Sequence, residues 1–272
     1  MNVNSAPTLP RRRLFSRKFR VLLISVMLFL LPIGCSLTNH FLGNKSTPWW
    51  ELRRDSSGQA PSPTEHKEAV IQVYAARAAR WRGAFGVHTW IAVKPTDAQS
   101  YIRMEVFGFN LRWGGDTVSF NRRVPDGYWF GSKPWLLREI RGGDEVDHMI
   151  ERLIQAAKEY PYNKQYRVWP GPNSNTFIAW LGRRLPELQL ELPATAIGKD
   201  YLPDGAVFAS TPSGRGKQVS VKGMFGILVG LEEGVEVNIL GLTAGVDLSP
   251  PAIKLPGVGR IGFRDFKTRY YR

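Results

Sequence analysis

The stretch GVHTWIAVK, Gly86–Lys94, alternates two sets of side chains with a period of two residues. One set is Val87, Thr89, Ile91 and Val93, and the other is His88, Trp90, Ala92 and Lys94. Successive side chains of a β-strand point to opposite faces, so this alternation predicts a strand. The turn-forming residues 95–99 follow, and the stretch SYIRMEVFGF, 100–109, predicts a second strand. The short connection predicts that the two strands form an antiparallel hairpin.

Two helices are predicted on the C-terminal side of this hairpin. The first begins at Asp144 and carries an apolar stripe at helical spacing, formed by Val146, Met149, Ile150, Leu153 and Ala157. The second begins near Asn173 or Ser174, and its apolar positions are Phe177, Trp180, Leu181 and Leu185. Strands and helices that follow one another in this way predict the α+β class.

Three other stretches carry local signals. Residues 62–65 have the form of a capping box with Pro63 at the first helical position, which favours a short helix. The stretch AVIQVYAARA, 69–78, fits both helix and strand. The glycine-rich stretch 224–242 predicts a hairpin that turns at residues 232–234.

The N-terminal part of the chain predicts a membrane anchor. Val21–Leu37 holds 17 residues without a charge, in a chain of 272 residues with a net charge of +14. A spanning helix needs about 20 residues. Basic residues and no acidic ones precede this segment within residues 1–20. This charge distribution predicts a single membrane pass, with the N-terminus in the cytoplasm and the bulk of the chain on the other side of the membrane.

A cleaved signal peptide is the alternative for the same segment. Its apolar part would be Val21–Leu31, Pro32 would end the helix, and residues 34–36 would form the cleavage site. Cys35 would suit a lipoprotein signal, but Pro32 occupies a position where that signal has an aliphatic residue, so lipidation is not expected. We therefore predict four segments. They are a disordered basic cytoplasmic tail (1–20), an anchor or signal (21–42), a linker (43–64) and an extracytoplasmic α+β domain (65–272).

Several stretches match ligand-binding motifs only in part and lack the neighbouring residues or elements that those motifs require. GVGRIG, 257–262, matches a dinucleotide fingerprint in letters, but only ten residues follow it, too few for the required helix. GRGK, 214–217, lacks the earlier glycine of a phosphate loop. The four histidines are scattered, and one cysteine allows no internal disulfide. We therefore expect no metal and no cofactor. The basic charge would fit docking on anionic lipid or nucleic acid, but the membrane topology accounts for its densest cluster, so no nucleic-acid partner is expected.

The stretch GPNSNTF, Gly171–Phe177, places a serine at the predicted start of the second helix. A helix N-terminus offers free N–H groups and a partial positive charge, which favour a developing anion. Ser174 is therefore a candidate nucleophile. Serine and asparagine are also the preferred capping residues of helices, so a purely structural role fits the same residues.

YRVWPGPNSNTF, 166–177, resembles the signature of the PPPDE thiol peptidases, which share a circularly permuted papain-like fold with the lecithin–retinol acyltransferases. The resemblance covers residues 69–185 and places His88 at the family's histidine position. Asn173, Asn175, Thr176 and Phe177 fit the signature, whereas Ser174 replaces the nucleophilic cysteine. The resemblance implies an antiparallel sheet with the nucleophile-bearing helix packed on it.

The serine changes the chemistry that this resemblance implies. A hydroxyl is not ionised at neutral pH, so His88 would have to accept the proton of Ser174 directly, across about 2.6–3.2 Å. The predicted hairpin places position 105 or 106 opposite His88, which makes Glu105 a candidate for orienting the imidazole. Asn173 and Asn175 would donate to an oxyanion or cap the helix. Structural alternatives are an inert core histidine and a solvated Glu105.

The whole chain also resembles a bacterial domain-of-unknown-function family, number 3750, through residues 83–95, 168–177 and 192–203. That family supplies no reaction, but the resemblance implies a bacterial protein, so that the membrane would be the inner membrane and the domain would be periplasmic. Two functions therefore stay open for a membrane-anchored envelope protein. One is a serine-dependent hydrolase or acyltransferase acting on an envelope peptide, lipid or acylated protein. The other is a non-catalytic binding or structural module with a degenerate site.

Overall fold

The computed structural model describes residues 16–43, 47–263 and 268–271. A single apolar helix, α1 (Arg17–Gly43), opens the described chain and is long and apolar enough to cross a membrane. The expected break at Pro32 does not occur, since α1 continues through it. A proline removes one backbone hydrogen bond, which spanning helices tolerate. Most of the predicted basic tail, residues 1–15, lies outside the described residues.

The first sheet has six strands in the order β13-β5-β1-β2-β3-β4. All neighbouring pairs are antiparallel except β13 and β5. The ambiguous stretch at 69–78 forms β1, which lies in the interior of the sheet between β2 and β5. The strands are β1 (Ala69–Arg77), β2 (Val87–Lys94), β3 (Ile102–Val106), β4 (Val118–Asn121), β5 (Trp135–Gly142) and β13 (Thr268–Tyr270).

Two helices cover one face of this sheet. They are α2 (Asp144–Lys158) and α3 (Ser174–Arg184), and both begin where the sequence predicts. Their apolar stripes share one core with alternate residues of the central strands, including Ile71, Val73, Ile91, Met104, Phe177 and Leu181. The α+β class with an antiparallel sheet is therefore confirmed, and the helix that begins at Ser174 packs on the sheet.

The second sheet is a seven-stranded antiparallel meander in the order β12-β11-β10-β9-β8-β7-β6. The predicted hairpin is present, with Gly234 in the left-handed region at its turn. The strands are β6 (Phe208–Ser210), β7 (Gly216–Val221), β8 (Phe225–Gly230), β9 (Gly234–Ile239), β10 (Leu242–Leu248), β11 (Pro251–Leu255) and β12 (Gly259–Gly262).

Part of the predicted linker is packed onto the first sheet. Asp126 accepts hydrogen bonds from the Ser56 hydroxyl at 2.8 Å and from the Gln59 backbone N–H at 2.6 Å. The predicted helix at residues 62–65 is only a single turn, in which the Glu65 N–H donates to the Ser62 carbonyl at 3.2 Å. A helix cannot continue there because the chain must extend to enter β1 at Ala69.

Buried ion pairs join the second sheet to the loop that follows α3. The Lys199 ammonium contacts the Glu236 carboxylate, and Lys254 lies 2.9 Å from Glu236 and 2.6 Å from Glu191. Lys199, Lys254 and Glu236 are almost fully buried. Buried charges are tolerated only when they are paired, and here the sheet and the loop supply each other's partners.

Candidate functional site

The predicted site begins at the N-terminus of α3, where Asn173 is the capping residue. Its side-chain oxygen accepts from the N–H groups of Asn175 at 2.9 Å and Thr176 at 3.2 Å. The Thr176 hydroxyl in turn accepts from the Asn173 N–H at 3.1 Å. These reciprocal bonds form a capping box. The first backbone donors of the helix are therefore partly used by the protein itself.

The two asparagine amides are also committed to the protein backbone. Asn173 donates to the carbonyls of Val168 and Ile197, both at 3.0 Å. Asn175 donates to the carbonyls of Val87 at 3.0 Å and Ile197 at 2.8 Å. These bonds tie the start of α3 to β2 and to the loop after the helix. The sequence allowed two roles for these amides, oxyanion binding and a structural role. Their hydrogen bonds to backbone carbonyls give them the structural role.

Ser174 and His88 are not brought together. Thr89 faces α3, because its hydroxyl donates to the Asn175 side chain at 2.9 Å and approaches the Ser174 carbonyl at 3.4 Å. His88 precedes Thr89 on the strand, so its side chain points to the opposite face of the sheet. Across the described chain, no hydrogen bond joins the Ser174 hydroxyl to His88, and Ser174 itself is buried. The sheet therefore separates the expected nucleophile from the expected base.

His88 packs among aromatic rings on the outer face of the first sheet. Its imidazole stacks on Trp129 with ring centroids 3.7 Å apart and an angle of 7° between the planes. Trp90 and Phe107 flank it at 5.9 Å and 6.3 Å. With 7% of its surface exposed, His88 has almost no access to solvent.

Glu105 does contact His88, as the hairpin predicts. The distance between His88 Nε2 and Glu105 Oε2 is 3.3 Å. The register differs from the expected one, since Ile91 pairs with Met104, which places Glu105 diagonally to His88 instead of opposite it. Glu105 is fully buried, so the solvated alternative does not hold.

The same carboxylate is shared with two other groups. It accepts from the Arg103 guanidinium at 2.8 Å and from the Asn121 amide at 3.1 Å. Arg103 lies 4.1 Å over the Trp90 ring and donates to the Val124 carbonyl at 3.1 Å. Each partner therefore has a structural role in neutralising or orienting the buried charge.

Burial and hydrogen bonding set the charge states of this cluster. Burial lowers the pKa of His88 below its usual value. Burial would raise the pKa of Glu105, but the hydrogen bond from His88 and the charge of Arg103 outweigh it and hold this pKa at about 2. A neutral imidazole therefore donates to an ionised carboxylate, an arrangement that orients a histidine and also satisfies a buried one.

Three members of this outer cluster lie in parts of the sequence without a recognisable motif. Trp129 and Asn121 belong to residues 111–143, which show no periodicity, and Arg103 alternates with Glu105 on a strand without a motif. The alternation of β3 was the available signal for Arg103, because it places residues 103 and 105 on one face. Among the described residues, no group of three or more His, Cys, Asp or Glu side chains is placed to hold a metal.

Comparison with known proteins gives one family. Residues 68–201 match the family model "Protein of unknown function (DUF3750)". This match supports the family predicted from the sequence. The DUF3750 region includes β1, α3 and the outer histidine cluster, and it ends before the second sheet. No curated protein and no solved structure matches the chain, and the papain-like resemblance stays a prediction.

Proposed function

We propose that this chain is a membrane-anchored envelope protein that acts by binding and has no covalent catalysis at Ser174. The observation that carries the proposal is the position of Thr89 against α3, which directs His88 to the other face of the sheet. A serine nucleophile needs a base within hydrogen-bond reach. Ser174 has no such contact with His88 in the described chain.

The surroundings of both residues support the same proposal. The Asn173 and Asn175 amides, which would stabilise an oxyanion, already donate to backbone carbonyls. On the other face, Trp129 covers the imidazole of His88. A substrate would have to displace packed aromatic rings to reach the base and buried backbone to reach the hydroxyl. Such displacement is costly in a close-packed interior.

The membrane part of the proposal is supported by α1 and by the basic residues before it. We propose that α1 crosses the inner membrane once, with the N-terminus in the cytoplasm and the folded domain in the periplasm. Alkaline phosphatase fused after Arg272 should be active. A fluorescent protein fused at the same position and exported by the same route should not fluoresce. The opposite pair of signals would reverse the orientation.

An activity-based probe tests the absence of catalysis. The full chain in detergent should react with a fluorophosphonate no faster than its Ser174→Ala variant. Labelling that is lost in both Ser174→Ala and His88→Ala would overturn the proposal, because both side chains would then act together.

A second candidate is a hydrolase centred on the outer face, and the His88–Glu105 contact favours it. Ser119 pairs with Glu105 across β3 and β4 and therefore lies on the same face as His88. Fluorophosphonate labelling that survives Ser174→Ala but is lost in His88→Ala and Ser119→Ala would favour this candidate. No labelling in any variant would favour a binding protein.

A further inference from the structure

The second sheet has an unusual distribution of polar and apolar side chains. The face that packs on the domain is polar and includes Gln218, Ser220, Glu236, Asn238, Thr243, Asp247 and Lys254. The face that points outward is apolar and exposed, and its members are Val219, Val221, Phe225, Ile227, Val229, Val235, Val237, Ile239, Val246, Leu248, Ile253 and Ile261. An antiparallel sheet in water normally has the reverse arrangement. We call this surface the apolar face.

Cross-strand pairing makes the apolar face continuous. Val219 pairs with Ile227, which pairs with Val237, and neighbouring rows are aligned in the same way. Seven strands spaced by about 4.8 Å and three rows of side chains cover roughly 500 Å². This is near the upper end of the largest apolar patches on monomeric proteins, which are about 300–600 Å² and are often functional.

One part of the apolar face forms a groove of about 990 Å³. It runs across β6–β9, and the side chains that line it include Phe208, Val219, Phe225, Ile227, Val237 and Ile239. Its volume is at the upper end of ordinary ligand sites, which are about 300–1,000 Å³. An extended apolar ligand would therefore fit the groove.

One lysine side chain, that of Lys217, lies at one end of this groove. Lys217 belongs to its lining, is exposed, and has no hydrogen bond or ion pair with another described residue. Arg215, two residues earlier, is instead paired with Glu232 at 2.7 Å. The outward positions of β6–β12 carry no acidic residue. The groove thus offers an open, largely apolar surface with one unneutralised positive charge, which complements an anionic amphiphile.

The other end of the groove lies towards the membrane anchor. The Ser36 hydroxyl of α1 donates to the Gly257 carbonyl, in the turn between β11 and β12, at 3.0 Å. In a meander, alternate turns leave the same end of the sheet. The β7–β8 turn therefore leaves the sheet at the same end as the turn that contacts α1, four strand spacings or about 19 Å away, and the groove residues Val221 and Phe225 flank it. An acyl chain long enough to cross this distance along the end of the sheet could pass from the bilayer beside α1 into the groove.

We propose that the groove binds one long acyl chain of an anionic lipid drawn from this bilayer, with the anionic group beside Lys217. The inference deepens the proposed binding function and rests on the anchoring of α1. A second copy of the chain is the other occupant that would cover an apolar sheet face. It fits less well, because facing copies would bury Lys217 against aliphatic side chains without an acidic partner, and an unpaired buried charge is costly.

The test uses the full chain in amphipol, titrated with the fluorescent 18-carbon cis-parinaric acid and with its uncharged methyl ester. We expect saturable binding of one acid per chain. Ile227→Glu should weaken it about tenfold or more, because a charge then occupies the groove. Lys217→Ala should weaken binding of the acid by up to about fivefold, as expected for an exposed ion pair, and leave the ester unchanged.

Ile253→Glu is the matched control. Ile253 is exposed on the same face but lies on β11, outside the groove, so this variant should bind the acid like the unchanged chain. Near-ultraviolet circular dichroism checks that each variant is folded. Non-saturable binding, or affinities that Ile227→Glu does not change, would overturn the inference.

The oligomeric state separates the two occupants. If light scattering shows a dimer that both Ile227→Glu and Ile253→Glu dissociate, a second copy covers the apolar face and the inference is wrong. The fluorophosphonate result is independent of these titrations. An unreactive Ser174 together with absent acyl binding would overturn only this inference, whereas a reactive Ser174 would overturn the proposed absence of catalysis.

Discussion

Replacing Glu105 with alanine removes the carboxylate that neutralises Arg103 on the outer face of the first sheet. The side chain of Glu105 is fully buried and that of Arg103 is 4% exposed. Removal of one partner from a buried ion pair costs about 3–5 kcal/mol, because the other charge stays buried without compensation. For a domain of about 200 residues, each kcal/mol lowers Tm by about 2–4 °C, so Glu105→Ala should lower Tm by roughly 6–20 °C.

The measurement is thermal unfolding of the full chain in detergent at pH 7, followed by near-ultraviolet circular dichroism. Glu151→Ala is the matched control, because its side chain is 78% exposed and its partner His148 is equally exposed. This control should change the free energy of unfolding by less than about 0.5 kcal/mol. The double variant Arg103→Met with Glu105→Leu should recover part of the lost stability, since no unpaired charge remains. A loss below about 1 kcal/mol for Glu105→Ala would refute the described cluster.

Three further predictions concern stability. The pKa of His88 is lower in the folded chain than its unfolded value of about 6.5. The contribution of neutral His88 to the free energy of unfolding is therefore complete above about pH 6.5 and is lost as the pH falls. Replacing His88 by glutamine (His88→Gln) should flatten the decrease in Tm between pH 7 and pH 5. Asn173→Ala should lower the free energy of unfolding, measured by denaturant titration, by about 2 kcal/mol. This is the upper range for a helix cap, and we expect it because the variant also loses two hydrogen bonds from the buried amide. In the same titration Ser174→Ala should cost less than about 1 kcal/mol. Glu236→Ala should cost about 3 kcal/mol in that titration, the lower end of the range for a broken buried pair, because Lys199 loses its nearest carboxylate whereas Lys254 keeps Glu191, and a loss under about 1 kcal/mol would contradict the pairing.

Local pattern was enough to place the elements that carry the predicted site. The alternation in 86–94 predicted β2, and the residues at 173–174 predicted the start of α3, because strand period and helix capping are properties of neighbouring residues. The contact between Glu105 and His88 followed from the same hairpin. The orientation of α3 relative to the faces of β2 depends on long-range packing. The expected Ser174–His88 contact requires His88 to face α3. In the structure Thr89 faces α3 instead, and His88 lies on the opposite face.

Other features had no local signal at all. Asp126 accepts a hydrogen bond from Ser56 and so holds the segment that was predicted as a linker. The two residues are 70 positions apart in the sequence, so no local pattern predicts this contact. Five strands of the second sheet were not predicted individually. Their alternation is regular, but the apolar side chains face outward and the polar ones inward, so burial of apolar residues does not reveal the packed face.

Ser174 and His88 lie on separate faces of the first sheet. The most direct measurement is the thiol pKa of Ser174→Cys, obtained from the pH dependence of its reaction with iodoacetamide in a Cys35→Ser background, with and without His88→Ala. A thiol beside an imidazole has a pKa well below the usual value of about 8.5. We expect the same thiol pKa in both backgrounds, whatever effect the helix N-terminus has on it. A thiol pKa that is lower by about one unit or more when His88 is present would show that the two side chains are in contact and therefore lie on the same face of the sheet.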